Sequence, residues 1–299
     1  MSLLVALIIS EKKRQTLEAN GVFSLQTNIT YTFPRSVDEL MSGPTPDLII
    51  SKLSDLKEST DWVDVLDNQL AHIPQAASVD SQRVVRDRWM TCEKLKQAEI
   101  DFPETFLISC ESQICDVKTF PVILKTQIAC GPSASHLMMI ADSASDILSF
   151  FRFPKPELAN GATQIDNKSI IAQTFLDHEI FLKVFVVGDN VFVFNRQVER
   201  MKSGEIFRPI VTIPDHNDHH HGQLGTTSIW FSHIQSIARR ISSSFSFELF
   251  GFDVIESSNK LFVVDVNFFP TFKELVKELG GPGFRNILDS YCKNLVRNK

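Results

Sequence analysis

Toward its C-terminal end the chain carries two apolar strand-like runs, residues 249–255 and 261–267, separated by Ser257-Ser258-Asn259. Turn residues between apolar runs define an antiparallel hairpin. Alternation along a strand puts Asp265 and Asn267 on one face. Folding about Ser258 sets Asp253 opposite residue 263, 264 or 265, and the best register brings it beside Asp265. Two carboxylates and one amide oxygen then converge. Their flanks are apolar, so unpaired carboxylates there carry a large desolvation cost that a divalent cation removes. Hard oxygen ligands suit Mg²⁺ or Mn²⁺, not zinc. The alternative is a half-exposed sheet whose Asp residues face solvent.

The N-terminal part reads differently. Residues 3–10 form a continuous apolar run, as in a strand buried on both faces. Ser10 is placed to cap a helix over 11–20, and Gly21 to stop it. A second short apolar run, 47–53, follows a Gly-Pro-Thr-Pro turn signal. This alternation implies parallel strands in a doubly wound sheet, an α/β arrangement. One long helix is predicted over 81–99. A β-rich region follows, with strands at 105–108, 122–126 and 169–175 and a helix near 143–151. A hairpin is predicted at 180–187 and 191–195 around Gly188-Asp189-Asn190. Helices over 229–243 and 284–296 complete the pattern, the second after a Gly280-Gly-Pro-Gly283 turn.

The formal net charge is −6, so the surface as a whole does not attract nucleic acid or an acidic membrane. The five Cys form no C-x-x-C, and their odd number argues against a disulfide framework. A reducing, cytoplasmic setting is expected. Residues 3–9 are too short to span a bilayer, and no signal peptide is read there. His216, His219, His220 and His221 lie in a polar segment expected to be a flexible loop, without the spacing of a helical zinc pair.

Several cations stand where ligands gather. Lys125 ends an apolar strand and either snorkels to water or meets a phosphate. The small-residue loop Ala129-Cys-Gly-Pro-Ser-Ala-Ser-His136 follows, and its N–H groups suit an anion. Neither a Walker A motif nor G-x-G-x-x-G occurs. Gln173, Thr174 and Phe175 belong to a strand-like linker able to offer backbone groups to a nucleobase edge, or to an ordinary strand. Ser10 and Lys52 end predicted parallel strands, the edge at which open α/β sheets bind ligands. Lys13 is expected beside Lys52. Lys12 and Lys13 oppose the helix dipole, as a solvated pair or as binders of an anion.

The order of strand lysine, small loop, linker strand and carboxylate hairpin resembles the ATP-grasp fold. A closer similarity is to the inositol 1,3,4-trisphosphate 5/6-kinase family. It rests on Ser10-Glu-Lys-Lys13, Lys52, Asp87-Arg88, Lys125-Thr-x-x-x-x-Gly131 and Ser135-His136. It continues with Ala172-Gln-x-Phe-x-x-His178, Lys183-Val-Phe-Val-Val-Gly188, Gly251-x-Asp253 and Asp265-Val-Asn-x-Phe-Pro270.

The resemblance implies an ATP- and magnesium-dependent kinase acting on an inositol phosphate, with one or two ions. It implies a substrate-side Rossmann-like domain over 1–86, a central ATP-grasp lobe over 87–175 and a C-terminal lobe with the metal site over 176–299. ATP would lie between the last two, with Arg88 and Lys125 on its phosphates and Gln173, Thr174 and Phe175 at the adenine. Asp253, Asp265 and Asn267 would carry magnesium. Lys13, Lys52, His136 and Lys183 would hold the inositol phosphate. From their position after the middle hairpin, Arg196 and Arg200 either add charge to the cleft or form a solvated face. Lys125, Asp265 and His136 are the catalytic candidates, and a monomer is expected. The family usually has His where this chain has Cys130, and Gly where it has Thr271, which bears on the range of substrates. The rival expectations are a carboxylate–amine ligase of the same fold and a non-catalytic nucleotide-binding protein.

Overall fold

A computed structural model describes residues 2–55, 60–129, 137–153, 169–178, 180–198, 203–204, 206–207, 211–212 and 229–298. Three sheets follow one another. The first is parallel, with β1 (Leu3–Ile8), β2 (Ile29–Thr32) and β3 (Leu48–Ser51) in the order β2-β1-β3. Helices α1 (Glu11–Ala19) and α2 (Val37–Ser42) connect them. β1 sends Leu3, Val5 and Leu7 into one apolar cluster with Leu17 of α1. Ala6 and Ile8 enter another with Leu40 of α2. Both faces are covered, which is why the run reads as unbroken hydrophobic. β2 goes beyond the sequence expectation: only Ile29 of its four residues is buried, so its apolar signal is weak.

Short helices follow: α3 (Thr60–Asp64), α4 (Val79–Arg86) and α5 (Arg88–Gln97). The single helix expected over 81–99 is thus two. Asp87 breaks it with an extended backbone, φ −101° and ψ 114°. Its carboxylate accepts from the N–H groups of Trp89 and Met90, starting a new helix by capping it.

The second sheet contains β4 (Thr105–Ile108), β5 (Val122–Thr126), β6 (Met138–Ala141), β7 (Ile170–Thr174) and β10 (Ile206–Phe207). Its order is β10-β6-β5-β7-β4, antiparallel throughout. Helix α6 (Ala144–Arg152) covers one face with Ile147 and Phe150. The third sheet has β8 (Ile180–Val187), β9 (Asn190–Val198), β11 (Val211–Thr212), β12 (Leu249–Ser257) and β13 (Lys260–Phe268), in the order β11-β9-β8-β12-β13. Helix α7 (Ile229–Phe245) turns Ile234, Ala238, Ile241 and Phe245, one stripe at helical spacing, into the core it shares.

Helix α8 (Lys273–Arg297) is interrupted at Gly280, whose φ of 69° and ψ of 162° are not helical. The turn expected over 280–283 is instead a kink at Gly280 within this helix, which begins at Lys273 and not near 284. The second half returns to the first sheet, where Arg285 donates to the Ile29 carbonyl and to Asp289. The 24 Phe have a structural use. Phe245, Phe247, Phe250, Phe252, Phe268, Phe269, Phe272 and Phe284 form one chain of rings with neighbouring centroids 5.1 to 6.3 Å apart. Tilted aromatic contacts of this kind stiffen the core behind the carboxylate hairpin.

Candidate active site

The hairpin turn has positive φ at both central residues, 52° at Ser258 and 59° at Asn259. Such a turn pairs Ser257 with Lys260 and, in step, Val254 with Val263. Continued unbroken, that register would set Asp253 opposite Val264 and leave Asp265 on the other face. A β-bulge intervenes, with Val264 as the extra residue, so that Asp253 pairs with Asp265 and Gly251 with Asn267. Burial along β13 changes phase there: Leu261 and Val263 are buried before the bulge, Val266 and Phe268 after it. The bulge puts Asp253, Asp265 and Asn267 on one face. Gly251 leaves room for the chain's exit, since a Cβ there would lie 3.1 Å from the Pro270 ring.

The Asn267 amide donates to the Asp265 carboxylate. On the other side of Asp253, β8 places Lys183 in register, its Nζ 2.6 Å from Asp253 Oδ1. Both side chains are mostly buried. An ammonium drawn against this carboxylate pair is what a site for positive charge does, and the donor set is all hard oxygen. The residues therefore fit a divalent cation.

Opposite the bulge stands the second sheet. Lys125 is 7% exposed, and its Nζ donates to Gln173 Oε1 at 2.8 Å and to the Val264 carbonyl at 3.4 Å. Burial is the main force pushing its pKa down, to about 8. Repulsion from Arg88 adds to this, and Asp265 and Asp253 oppose it. Arg88, the first residue of α5, donates from its guanidinium to the carbonyls of Thr126 (2.6 Å) and Ile128 (2.8 Å). Arg88, Cys92, Lys125, Gln173, Val264 and Asp265 line one cleft between the two sheets. The thiol of Cys92 is pushed up in pKa by burial, which makes it a poor nucleophile. In the linker, the N–H of Thr174 bonds Glu104 and that of Phe175 bonds Pro121.

The remaining candidates scatter more widely. Lys52 follows β3, its N–H bonded to the Ile8 carbonyl, at the sheet edge that Ser10 also occupies. Lys13 is buried, and its ammonium donates to the Phe269 carbonyl and lies 4.0 Å from that ring's centroid. It therefore reaches the exit of the carboxylate strand, a contact the expected Lys52 neighbourhood did not include. Arg196 is ion-paired with Glu274 of α8. His136, Cys130, Arg200 and His216 to His221 lie outside the described residues. Sequence reasoning missed the bulge at Val264 and the hydrogen bonds of Thr105. Residues 261–264 are all apolar, so the bulge left little sign in the sequence. Thr105 had none.

The three sheets and the cleft between the last two are those of an ATP-grasp protein. The D-alanine–D-alanine ligase of Bacillus anthracis superposes with a TM-score of 0.69 at 10% identity, covering 99% of both chains. An ATP-grasp RimK domain protein of Sphaerobacter thermophilus gives 0.58 at 16% identity, over 96% of this chain and 98% of that one. At such identities the likeness establishes the fold alone. A sequence model of the inositol 1,3,4-trisphosphate 5/6-kinase ATP-grasp domain matches residues 96–288, and the chain belongs to that family. Inositol-tetrakisphosphate 1-kinase 6 of Oryza sativa subsp. indica is 26% identical over 195 residues. That stretch is 58% of this chain and 32% of the rice protein, so the match spans about a third of the relative's length. The japonica protein of the same name matches equally. Among the described residues no helix is long and apolar enough to cross a membrane.

Proposed function

We propose that the chain transfers the γ-phosphate of ATP to a hydroxyl of an inositol phosphate. The observation that carries this is the meeting of Lys125 with the bulged carboxylate strand in one cleft. Family membership supports an inositol phosphate as the acceptor. Phosphoryl transfer needs alignment and charge neutralisation more than covalent help. Lys125 holds phosphate oxygens of the nucleotide, and Arg88 adds a second cation at the same cleft wall. The linker at Gln173, Thr174 and Phe175 would border the adenine, with the N–H groups of Thr174 and Phe175 already bonded to Glu104 and Pro121.

Asp253, Asp265 and Asn267 would hold magnesium, which when bound neutralises triphosphate charge and polarises the transferred group. Lys183, whose Nζ lies 2.6 Å from Asp253 Oδ1, would hold a phosphate of the acceptor. Lys52, Lys13, His136 and Arg196 complete the acceptor side as proposed ligands of an inositol phosphate. Each cation placed there lowers the cost of bringing two polyanions together, and positioning of this kind supplies several kcal/mol of barrier reduction.

A product analysis tests the reading: ATP, magnesium and the inositol tris- and tetrakisphosphate isomers, with no amine acceptor present. A phosphorylated inositol formed together with ADP is the expected outcome. ADP release that requires an amine and a carboxylate would instead make the chain a ligase, the activity carried in the names of several structural neighbours.

A further inference from the structure

Lys125 is held in place by a short relay of neutral groups that begins at Thr105. In the second sheet, Thr105 pairs with Gln173 across β4 and β7, and Lys125 pairs with Ile171 across β5 and β7. Residues 171 and 173 share a face, so Thr105, Gln173 and Lys125 point to the same side of the sheet. That side faces the bulge of β13, as the Lys125–Val264 contact requires.

The direction of the relay follows from proton counting. The Thr105 hydroxyl has one proton and donates it to the Pro103 carbonyl at 2.7 Å, and the protonated Cys92 thiol that also bonds this hydroxyl is left to donate to it. Toward Gln173 it is left only with lone pairs. The amide must therefore turn its NH₂ to Thr105, at 3.2 Å, and its oxygen to Lys125, at 2.8 Å. Gln173 is 6% exposed, so water does not compete freely for that oxygen. Both acceptors that Lys125 has among the described residues, Gln173 Oε1 and the Val264 carbonyl, are uncharged. A buried ammonium oriented by dipoles, and not neutralised by a bonded carboxylate, keeps its charge available to an arriving anion.

We infer that Thr105 is a positioning residue for nucleotide binding. It acts through the Gln173 amide, which aims the Lys125 ammonium at the phosphates of ATP. The inference rests on the nucleotide-site reading above and deepens it: the Gln173 side chain serves Lys125 and is not left for the nucleobase. Losing the Thr105 hydroxyl frees the amide to rotate. Its NH₂ can then face Lys125, donor against donor, and the ammonium loses its main anchor.

Thr105→Val keeps the shape and removes the hydroxyl, and Thr105→Ser restores the hydroxyl without the methyl. Binding of ATP with magnesium is measured by calorimetry, alongside thermal unfolding, for wild type, Thr105→Val, Thr105→Ser, Gln173→Leu and the Thr105→Val/Gln173→Leu double variant. Thr105→Val is expected to weaken ATP binding about 5- to 10-fold, the scale of one ordinary hydrogen bond lost. Thr105→Ser is expected within about 2-fold of wild type, as loss of a partly buried methyl does not touch the relay. The double variant should be no weaker than Gln173→Leu alone, because both changes act through one path. Thr105→Val binding ATP as wild type does, or losses that multiply in the double variant, would overturn the inference. A wild-type chain that binds no ATP at all would overturn the nucleotide-site reading itself, and this inference with it.

Discussion

The ammonium of Lys125 rests against the backbone of Val264, 3.4 Å from its carbonyl oxygen, so a cation of one sheet touches the bulge that aligns the carboxylates of the other. A buried charge held by neutral dipoles costs folding free energy, while in the proposed site the same charge would attract the nucleotide. Lys125→Met therefore separates the two effects. It is expected to leave stability unchanged or raise it by about 1–2 kcal/mol. Turnover should fall by about 10²- to 10³-fold, the usual loss when one electrostatic stabiliser is removed. Urea unfolding and steady-state kinetics on the same preparation check both halves.

The depressed pKa of Lys125, about 8, gives the protein a signature in pH. In the unfolded chain the lysine holds its proton to about pH 10.4. Between these values the unfolded state binds more protons than the folded one, so this group's contribution to stability rises with pH. Its destabilising effect is complete below pH 8 and relieved above it. Function runs the other way. In the free protein kcat/KM for ATP should fall as pH rises through about 8, because the neutral amine no longer attracts phosphate. Lys125→Met should lack both the stability gain and that alkaline limb. A pH series of melting temperatures and kcat/KM values for the two proteins reads this out.

Asp253 and Lys183 form an ion pair with side-chain exposures of 15% and 8%. Asp253→Ala leaves the ammonium buried without its carboxylate, and should lower stability in metal-free buffer by about 3 kcal/mol. Pairing it with Lys183→Met should recover most of the loss. Asp265 faces no cation of its own strand pair, so Asp265→Ala should cost less stability than Asp253→Ala under the same conditions. Chemical denaturation of the wild type and these three variants in chelating buffer measures the ordering.

Most strands and the hairpins were legible because their apolar runs are long and their turns are marked, as at Gly188-Asp189-Asn190 and Ser257-Ser258-Asn259. The break at Asp87 was not, because residues on both sides of it favour a helix and a single carboxylate decides where the second helix starts. The convergence of Asp253 with Asp265 was legible as one register among three. What selects it is the extra residue Val264, and an apolar residue in an apolar strand carries little sign of being unpaired. The cleft lining from Lys125 and Gln173 followed from strand position. The destinations of Lys13 and Arg196, at Phe269 and Glu274, depend on tertiary contacts more than 70 residues away along the chain, which no local pattern encodes.

The second half of α8 packs closely against the elements around the first sheet. A Cβ on Gly281 would sit 2.1 Å from the Asn20 carbonyl oxygen and 2.5 Å from the Gly21 carbonyl carbon, both backbone atoms unable to swing aside. Gly281→Ala should therefore destabilise the protein by about 3 kcal/mol through overpacking. Beside it, Arg285 and Tyr31 both bond Asp289. Urea midpoints for Gly281→Ala, with Gly204→Ala as a control at a position where an added Cβ meets nothing within 4 Å, check the assignment. Gly204 has a φ of 79°, so the control should carry backbone strain of about 1 kcal/mol but no clash.

The most direct test follows the γ-phosphate itself. Wild type and Asp265→Ala are given γ-labelled ATP, magnesium and an inositol trisphosphate, and the label is traced into the inositol product. Wild type should label the inositol, and Asp265→Ala should retain its fold while transfer falls by about 10²-fold or more. Label that never reaches an inositol phosphate in the wild type, or undiminished transfer by Asp265→Ala, would contradict the account.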